Sequence, residues 1–241
     1  MRTMDEYNNA LKLRDNGLNN SQISRELNIP RRTIIDWVSG KIKIKDRYYK
    51  NITSDQIIDT ISKEKSYSYI LGVYLGDGHI TKMARTYRIR IFQDTKYPGL
   101  IKLHGDELSN LLDKNKICLV KNANSNCMVI VAYSCILPII FPQHGAGRKH
   151  NRKIKLEEWQ EEIIKRFPIE FISGLLYSDG CIFYSKGKLC YEFSNMSKNI
   201  LEIFEWVCDL LNVKHTRTWK SVNIRKKSEV EKIAKLVPTK Y

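Results

Sequence analysis

Ile70-Leu71-Gly72-Val73-Tyr74-Leu75-Gly76-Asp77-Gly78 and Ile172-Ser173-Gly174-Leu175-Leu176-Tyr177-Ser178-Asp179-Gly180 are two versions of one segment. The second follows the first by 179 − 77 = 102 residues, an offset that carries Gly72 to Gly174, Gly76 to Ser178 and Gly78 to Gly180. Each reads as an apolar helix that ends at an aspartate followed by a glycine. Gly72 and Gly76 are four apart and share a helix face; Gly174 and Ser178 share the matching face. A glycine inside a helix costs ~1 kcal/mol relative to alanine. Repeating that cost in both segments points to small faces that pack together, because small residues let two backbones approach closely.

That pairing sets Asp77 and Asp179 side by side, each in the last turn of its helix. A helix C-terminus carries partial negative charge and disfavours an aspartate. A divalent cation resolves the conflict. Magnesium takes carboxylate and carbonyl oxygens and keeps several waters, so the candidate metal ligands are Asp77, Asp179, Gly76 and Ser178. Such waters can attack a phosphodiester while the metal stabilises the leaving oxygen. Either Asp-Gly pair alone would read as an ordinary helix-terminating turn; the matched duplication is what favours a metal site.

The rest of the chain agrees with a nucleic-acid partner. Forty-one Lys and Arg against 26 Asp and Glu leave a net charge of +15 over 241 residues, and such an excess points to a polyanion. No apolar run reaches the ~20 residues of a membrane-spanning helix. The first residues lack a secretory signal, which predicts the cytoplasm, or an organellar matrix if an organelle encodes the chain. The six cysteines form no CxxC pair or zinc spacing and read as buried free thiols of a reducing compartment.

Five segments are expected. Residues 1–45 carry three short helices, 5–16, 20–27 and 31–38, with Asn28-Ile29-Pro30 as a turn. Ile23, Leu27, Ile34, Ile35 and Trp37 supply their core. This resembles a helix-turn-helix unit whose third helix presents Arg31, Arg32 and Thr33 to a major groove, with Lys41 beyond it; a helical cap without DNA contact is the alternative. Residues 46–65 form a basic linker. The first repeat spans 66–142 and the second 165–241, joined by a basic segment, 143–164. Each repeat has the motif helix, strands (79–83 and 86–93; 181–185 and 188–194), an amphipathic helix and further strands (128–133; 217–224), and a last helix over 228–236 closes the second.

The two motifs resemble the paired signature of the LAGLIDADG homing endonucleases in their single-chain, two-repeat form, over about residues 66–241. The resemblance implies an α+β fold of two pseudo-symmetric αββαββα repeats. Their saddle-shaped antiparallel sheets would straddle double-stranded DNA. It implies two or three Mg2+ ions at the repeat interface and a metal-dependent double-strand break in a long, nearly asymmetric site, made by a monomer of a mobile intron or intein. It makes Asp77 and Asp179 catalytic, and suggests that Gln93 and Asn195 (93 − 77 = 195 − 179 = 16 residues on) organise metal-bound water. A pocket lysine late in each half is implied; Lys227 is the candidate in the second half, and the matching first-half stretch, 132–134, has none. Strand alternation turns Arg88 and Arg90 outward opposite Ile89 and Ile91, with Lys82, Lys188, Glu192, Arg225 and Lys226 as further DNA contacts. Arg148, Lys149 and Arg152 in the glycine-rich loop 143–153 read either as a phosphate clamp or as a solvated linker. A non-cleaving transcription regulator on the same scaffold and an intron RNA maturase are the alternative functions.

Overall fold

The computed structural model describes residues 4–41, 63–112, 115–121, 125–185 and 187–241. The chain divides into two compact units, Met1–Ile52 and Thr53–Tyr241.

In the first unit, helices α1 (Met4–Asp15), α2 (Asn20–Glu26) and α3 (Arg31–Val38) follow the expected boundaries within a residue. Gly17 ends α1 with φ +88°, a conformation that glycine adopts without strain. Asn19 caps α2: its Oδ1 accepts from the Ser21 and Gln22 amides at 3.0 Å each, and Gln22 Oε1 accepts from the Asn19 amide at 2.8 Å. That reciprocal pair satisfies donors a helix start would otherwise leave open. Tyr7, Ala10, Ile23, Ile29, Ile34 and Trp37 form the core, with Leu27 packed at its edge. Ile35 is only half-buried and lies outside it, since one residue beyond Ile34 the helix has turned ~100°. The linker expected over 46–65 lies outside the described residues as far as 62, and from Glu64 the chain is already helical.

The second unit begins with α4 (Glu64–Asp77), followed by β1 (Gly78–Lys82), β2 (Tyr87–Asp94), α5 (Pro98–Leu111), β3 (Cys118–Lys121), β4 (Cys127–Ser134) and the single turn α6 (Leu137–Ile140). Helix α7 (Glu158–Arg166) leads into α8 (Pro168–Asp179), β5 (Gly180–Ser185), β6 (Lys188–Ser194), α9 (Lys198–Leu210), β7 (Thr216–Arg217), β8 (Ser221–Ile224) and α10 (Lys227–Leu236). Two four-stranded antiparallel sheets result, ordered β1-β2-β4-β3 and β5-β6-β8-β7. One face of each carries the core: Ile80, Ile89, Ile91 and Ile130 in the first, Tyr191, Phe193, Val222 and Ile224 in the second. Among the described residues no helix is long and apolar enough to cross a membrane.

Four features differ from the sequence reading. The joining segment 143–164 is more than a connector, because it holds α7, whose Trp159, Ile163 and Ile164 are buried. Gln160 ties it to α4 by donating to the Tyr67 hydroxyl at 2.6 Å. The stretch 217–224 is two strands with a turn between them. Strand β3 has no counterpart in the sequence reading; it is four residues long and mostly exposed. Of the six cysteines, only Cys190 and Cys208 are buried; all six are free.

Candidate functional site

Helices α4 and α8 meet along their glycines. A Cβ on Gly72 would stand 3.2 Å from the Gly174 Cα and collide with the Phe171 carbonyl; one on Gly174 would stand 3.1 Å from the Gly72 Cα and collide with the Tyr69 carbonyl. Any larger residue would force main chain away from main chain. One turn on, a Cβ at Gly76 would strike Ser178 Oγ and reach to 3.3 Å from Asp179 Oδ2. The backbones therefore approach where the small residues are, and each helix delivers its last residue, Asp77 or Asp179, to the same end of the seam.

The two acids are half-buried and unfavourably placed. Burial, followed by the charge of Asp179, pushes the Asp77 carboxyl up from 3.8 to about 6; the charges of Lys240 and Lys149 oppose it. Burial also raises Asp179, against a hydrogen bond from Asn195 and the same two lysines. Asn195 Nδ2 donates to Asp179 Oδ2 at 2.6 Å.

Two lysines close the helix ends. Lys149 Nζ donates to the carbonyl oxygens of Leu75 at 3.0 Å, Gly76 at 2.8 Å and Tyr74, and burial pulls its pKa down to about 8. Lys240 Nζ donates to the Ser178 carbonyl at 3.0 Å. A cation at a helix C-terminus offsets the partial negative charge of the open carbonyls, here beside two carboxylates. Lys149 comes from the joining segment and Lys240 from the C-terminal tail, which reaches the first half where the Leu100 amide donates to the Tyr241 carbonyl at 3.2 Å. Neither belongs to the duplicated pattern, since 240 − 149 = 91. The sequence reading leaves Lys149 between a phosphate clamp and a solvated linker, and it does not single out Lys240.

A cleft of about 530 Å³ opens beside the acids, lined by Asp77, Gln93, Lys96, Ser178, Gly180 and Lys240 among others. A second, of about 310 Å³, lies between β1 and the joining segment, against Tyr74, His79, Arg148, Lys149 and Arg152. Among the described residues no three His, Cys, Asp or Glu side chains gather as metal ligands. An ion at the seam would have two carboxylates, main-chain carbonyls and water. That donor set suits a hard, oxygen-seeking divalent ion. Its fit to the carbonyls requires the lysines to share them, because Lys149 and Lys240 now bond Gly76 O and Ser178 O.

Asp77, Asp179, Gly76, Ser178 and Asn195 are thus together, and Gln93 lines the same cleft. Lys227 is not at the seam. It opens α10 with its side chain 89% exposed, 3.8 Å from Glu231. The first-half stretch compared with it, 132–134, is the end of β4.

On the sheet faces away from the core, the register pairs His79 with Arg90 and Thr81 with Arg88. Arg90 Nη2 lies 3.1 Å from His79 Nδ1, and burial and the surrounding cations hold the His79 imidazole below its usual pKa. Arg88 Nε and Arg90 Nε are shielded from water without a hydrogen-bond partner. Lys82 departs from the expectation: it pairs with Tyr87, on the parity of Ile80 and Ile89, and is exposed only because the strand ends there. Lys188 and Glu192 share the outward parity of the second sheet, where Ser194 Oγ donates to Glu192 Oε1 at 2.9 Å. Arg225 Nη2 donates to Asn223 Oδ1 at 2.9 Å, and Lys226 is exposed. In the 143–153 loop Arg148 is exposed, whereas Lys149 and Arg152 turn inward. In the first unit Arg31, Arg32 and Lys41 are exposed and Thr33 half-buried, with Arg32 Nε 3.6 Å from Asp36 Oδ1.

Among solved structures the fold is similar to that of the homing endonuclease I-DmoI. Mesophilic variants of that enzyme match at 23% identity and a TM-score of 0.51, over 73% of this chain and 97% of that one. I-DmoI in complex with DNA and Mn matches at 22% identity and a TM-score of 0.52, over 73% and 98%. At this identity the likeness shows the fold. No protein-family model and no curated protein matches the chain.

Proposed function

We propose that this chain is a site-specific DNA endonuclease that makes a divalent-metal-dependent double-strand break. The observation that carries the reading is the convergence of Asp77 and Asp179, one from each repeat, with Asp77 pushed up to about 6 partly by the charge of its neighbour. A scaffold has no use for two carboxylates forced together at negative helix ends; a site for divalent cations has. The fold shared with an enzyme solved on DNA with manganese supports it.

Divalent ions, Mg2+ in the cell, would supply an activated water and charge stabilisation at the departing oxygen. The chain's own side chains do the rest. Asn195 fixes the orientation of Asp179 through its 2.6 Å hydrogen bond. Lys149 and Lys240 hold positive charge next to both acids, which keeps a phosphate from being repelled by them. Arg88 and Arg90, on the sheet face away from the core, suit phosphate oxygens or guanine edges, and Lys188, Glu192 and Arg225 continue the reading face on the second sheet. The first unit extends the footprint through Arg31, Arg32 and Thr33. The enzyme acts as a monomer on a long, nearly asymmetric site and belongs to a mobile element.

The test is cleavage of a randomised duplex library with Mg2+, with the ends sequenced. Asp77→Asn and Asp179→Asn are expected to abolish double-strand cleavage and leave binding nearly intact. Linear product at the wild-type rate from either variant would end the nuclease reading. The helical first unit favours a second reading, a DNA-binding regulator without cleavage. Wild-type protein that binds selected duplexes and cuts none of them with any divalent ion would establish it.

A further inference from the structure

Each half sends one side-chain amide toward the acids, and the two are held differently. In the second half Asn195 Oδ1 accepts from the Ser197 amide at 2.8 Å. That fixes which end of the side chain faces outward, and Nδ2 reaches Asp179. In the first half the position matching Ser197 is Thr95 (197 − 102), but its amide donates to the Asn126 carbonyl at 3.0 Å. Gln93 needs another anchor, and the core supplies one. His104 of α5 is fully buried. Its Nε2 lies 3.0 Å from Gln93 Oε1, and its Nδ1 lies 2.9 Å from the Tyr69 hydroxyl.

The hydrogen-bond inventory sets the polarity of this chain. A carbonyl oxygen only accepts, so His104 Nε2 carries the proton. In a neutral ring Nδ1 is then the acceptor, and Tyr69 donates to it. Burial keeps the ring neutral, with its pKa pulled down to about 4. The residues at the same offset in the second half are Phe171 (69 + 102) and Trp206 (104 + 102), which cannot form such a chain. The relay belongs to one half alone.

We propose that Tyr69 and His104 are positioning residues for Gln93: holding its carbonyl oxygen from within the core, they turn its NH2 into the cleft shared with Asp77, Ser178 and Lys240. There the amide donates to a water or phosphate oxygen beside Asp77, as Asn195 donates to Asp179. One strand cut then depends on a buried relay and the other on a local turn. The proposal rests on the nuclease reading above, and its test keeps the two apart.

Nitrogen-15 NMR of full-length protein labelled at histidine and glutamine reads the tautomer and the Gln93 amide without any activity. His104 should show a single Nε2–H form, and in His104→Leu the Gln93 side-chain amide signals should collapse toward free-rotor values. A ring protonated at Nδ1, or unchanged Gln93 signals, overturns the relay. Strand-resolved nicking is the second measurement. His104→Leu should slow one strand's cut by ~10-fold relative to the other, the effect typical of removing such an outer partner. Asn195→Ala should bias the opposite strand, and His104→Gln, which keeps a donor, should restore part of the ratio. Equal slowing of both strands in a folded variant overturns the proposal. If His104→Leu does not fold, Tyr69→Phe carries the same comparison by removing one oxygen. Wild-type protein that cuts neither strand would overturn the nuclease reading and leave the tautomer to decide the relay.

Discussion

Gly72→Ala and Gly105→Ala make the same chemical change in two helices and should move stability in opposite directions. Gly105 lies inside α5, and a Cβ there would meet nothing within 4 Å. Alanine should therefore gain the helix-propensity difference, ~1 kcal/mol. At Gly72 the same gain is offered and overruled. The new Cβ would stand 3.0 Å from the Leu175 nitrogen and 3.2 Å from the Gly174 Cα, besides meeting the Phe171 carbonyl. All three obstacles are main chain, so no rotamer change relieves them. The helices must part by roughly 0.5–1 Å to regain ordinary contact distances. Overpacking costs about 1–3 kcal/mol, and three main-chain obstacles on the facing helix put this case at the upper end. Less the propensity gain, the net loss is about 2 kcal/mol, and the two variants differ by about 3 kcal/mol. Urea unfolding of the full chain, followed by tryptophan fluorescence and analysed for the transition that contains Trp159, measures both. Gly72→Ala as stable as Gly105→Ala would refute the close-packed seam.

Further outcomes are expected at the acids, the lysines and the first unit. The folded-state pKa of Asp77 is raised, so the native state binds more protons than the unfolded chain between 3.8 and about 6; stability of metal-free protein should therefore fall as pH rises through that window, and Asp77→Asn should remove a loss on the order of 3 kcal/mol at neutral pH, readable as melting temperature against pH in chelator. Lys149→Met should lower stability by about 1–3 kcal/mol by stripping the carbonyls of Leu75 and Gly76 of a charged donor, and Lys240→Met should slow cleavage, while Lys227→Ala should change neither melting temperature nor cleavage rate. Arg31→Ala with Arg32→Ala should weaken DNA binding and reduce the slope of log K against log salt by ~0.9 for each phosphate that is no longer neutralised; an unchanged slope across a salt titration would remove the first unit from the DNA interface.

How much of this was legible depended on whether a residue's partner lay within the repeated pattern. The seam could be read because Gly72, Gly76, Gly174 and Ser178 are costly inside helices and make sense only against each other. Strand β2 alternates between buried and half-buried positions over most of its length, and Asn195 was found by its distance from Asp179. The pocket lysines were not found that way. Lys149 and Lys240 reach the helix ends from segments outside the duplication, so no offset connects them, and a lysine among many carries no local mark of being buried. Helix α7 hid for a related reason: Trp159, Ile163 and Ile164 have helical spacing, but the surrounding charge read as linker. His104 gave no signal at all, since its partners Tyr69 and Gln93 come from two other elements.

The origin of the two ammonium groups bears on how the molecule could be taken apart and rebuilt. A symmetric homodimer made from two copies of residues 66–142 would reproduce the crossing of the glycine-bearing helices and both carboxylates, yet contain neither Lys149 nor Lys240. Chimaeras that exchange one half for that of a relative would inherit or lose a cation according to where the splice falls, whatever the quality of the join itself. The junctions that look dispensable in a duplicated protein, the bridge and the tail, are the parts that must travel with the graft.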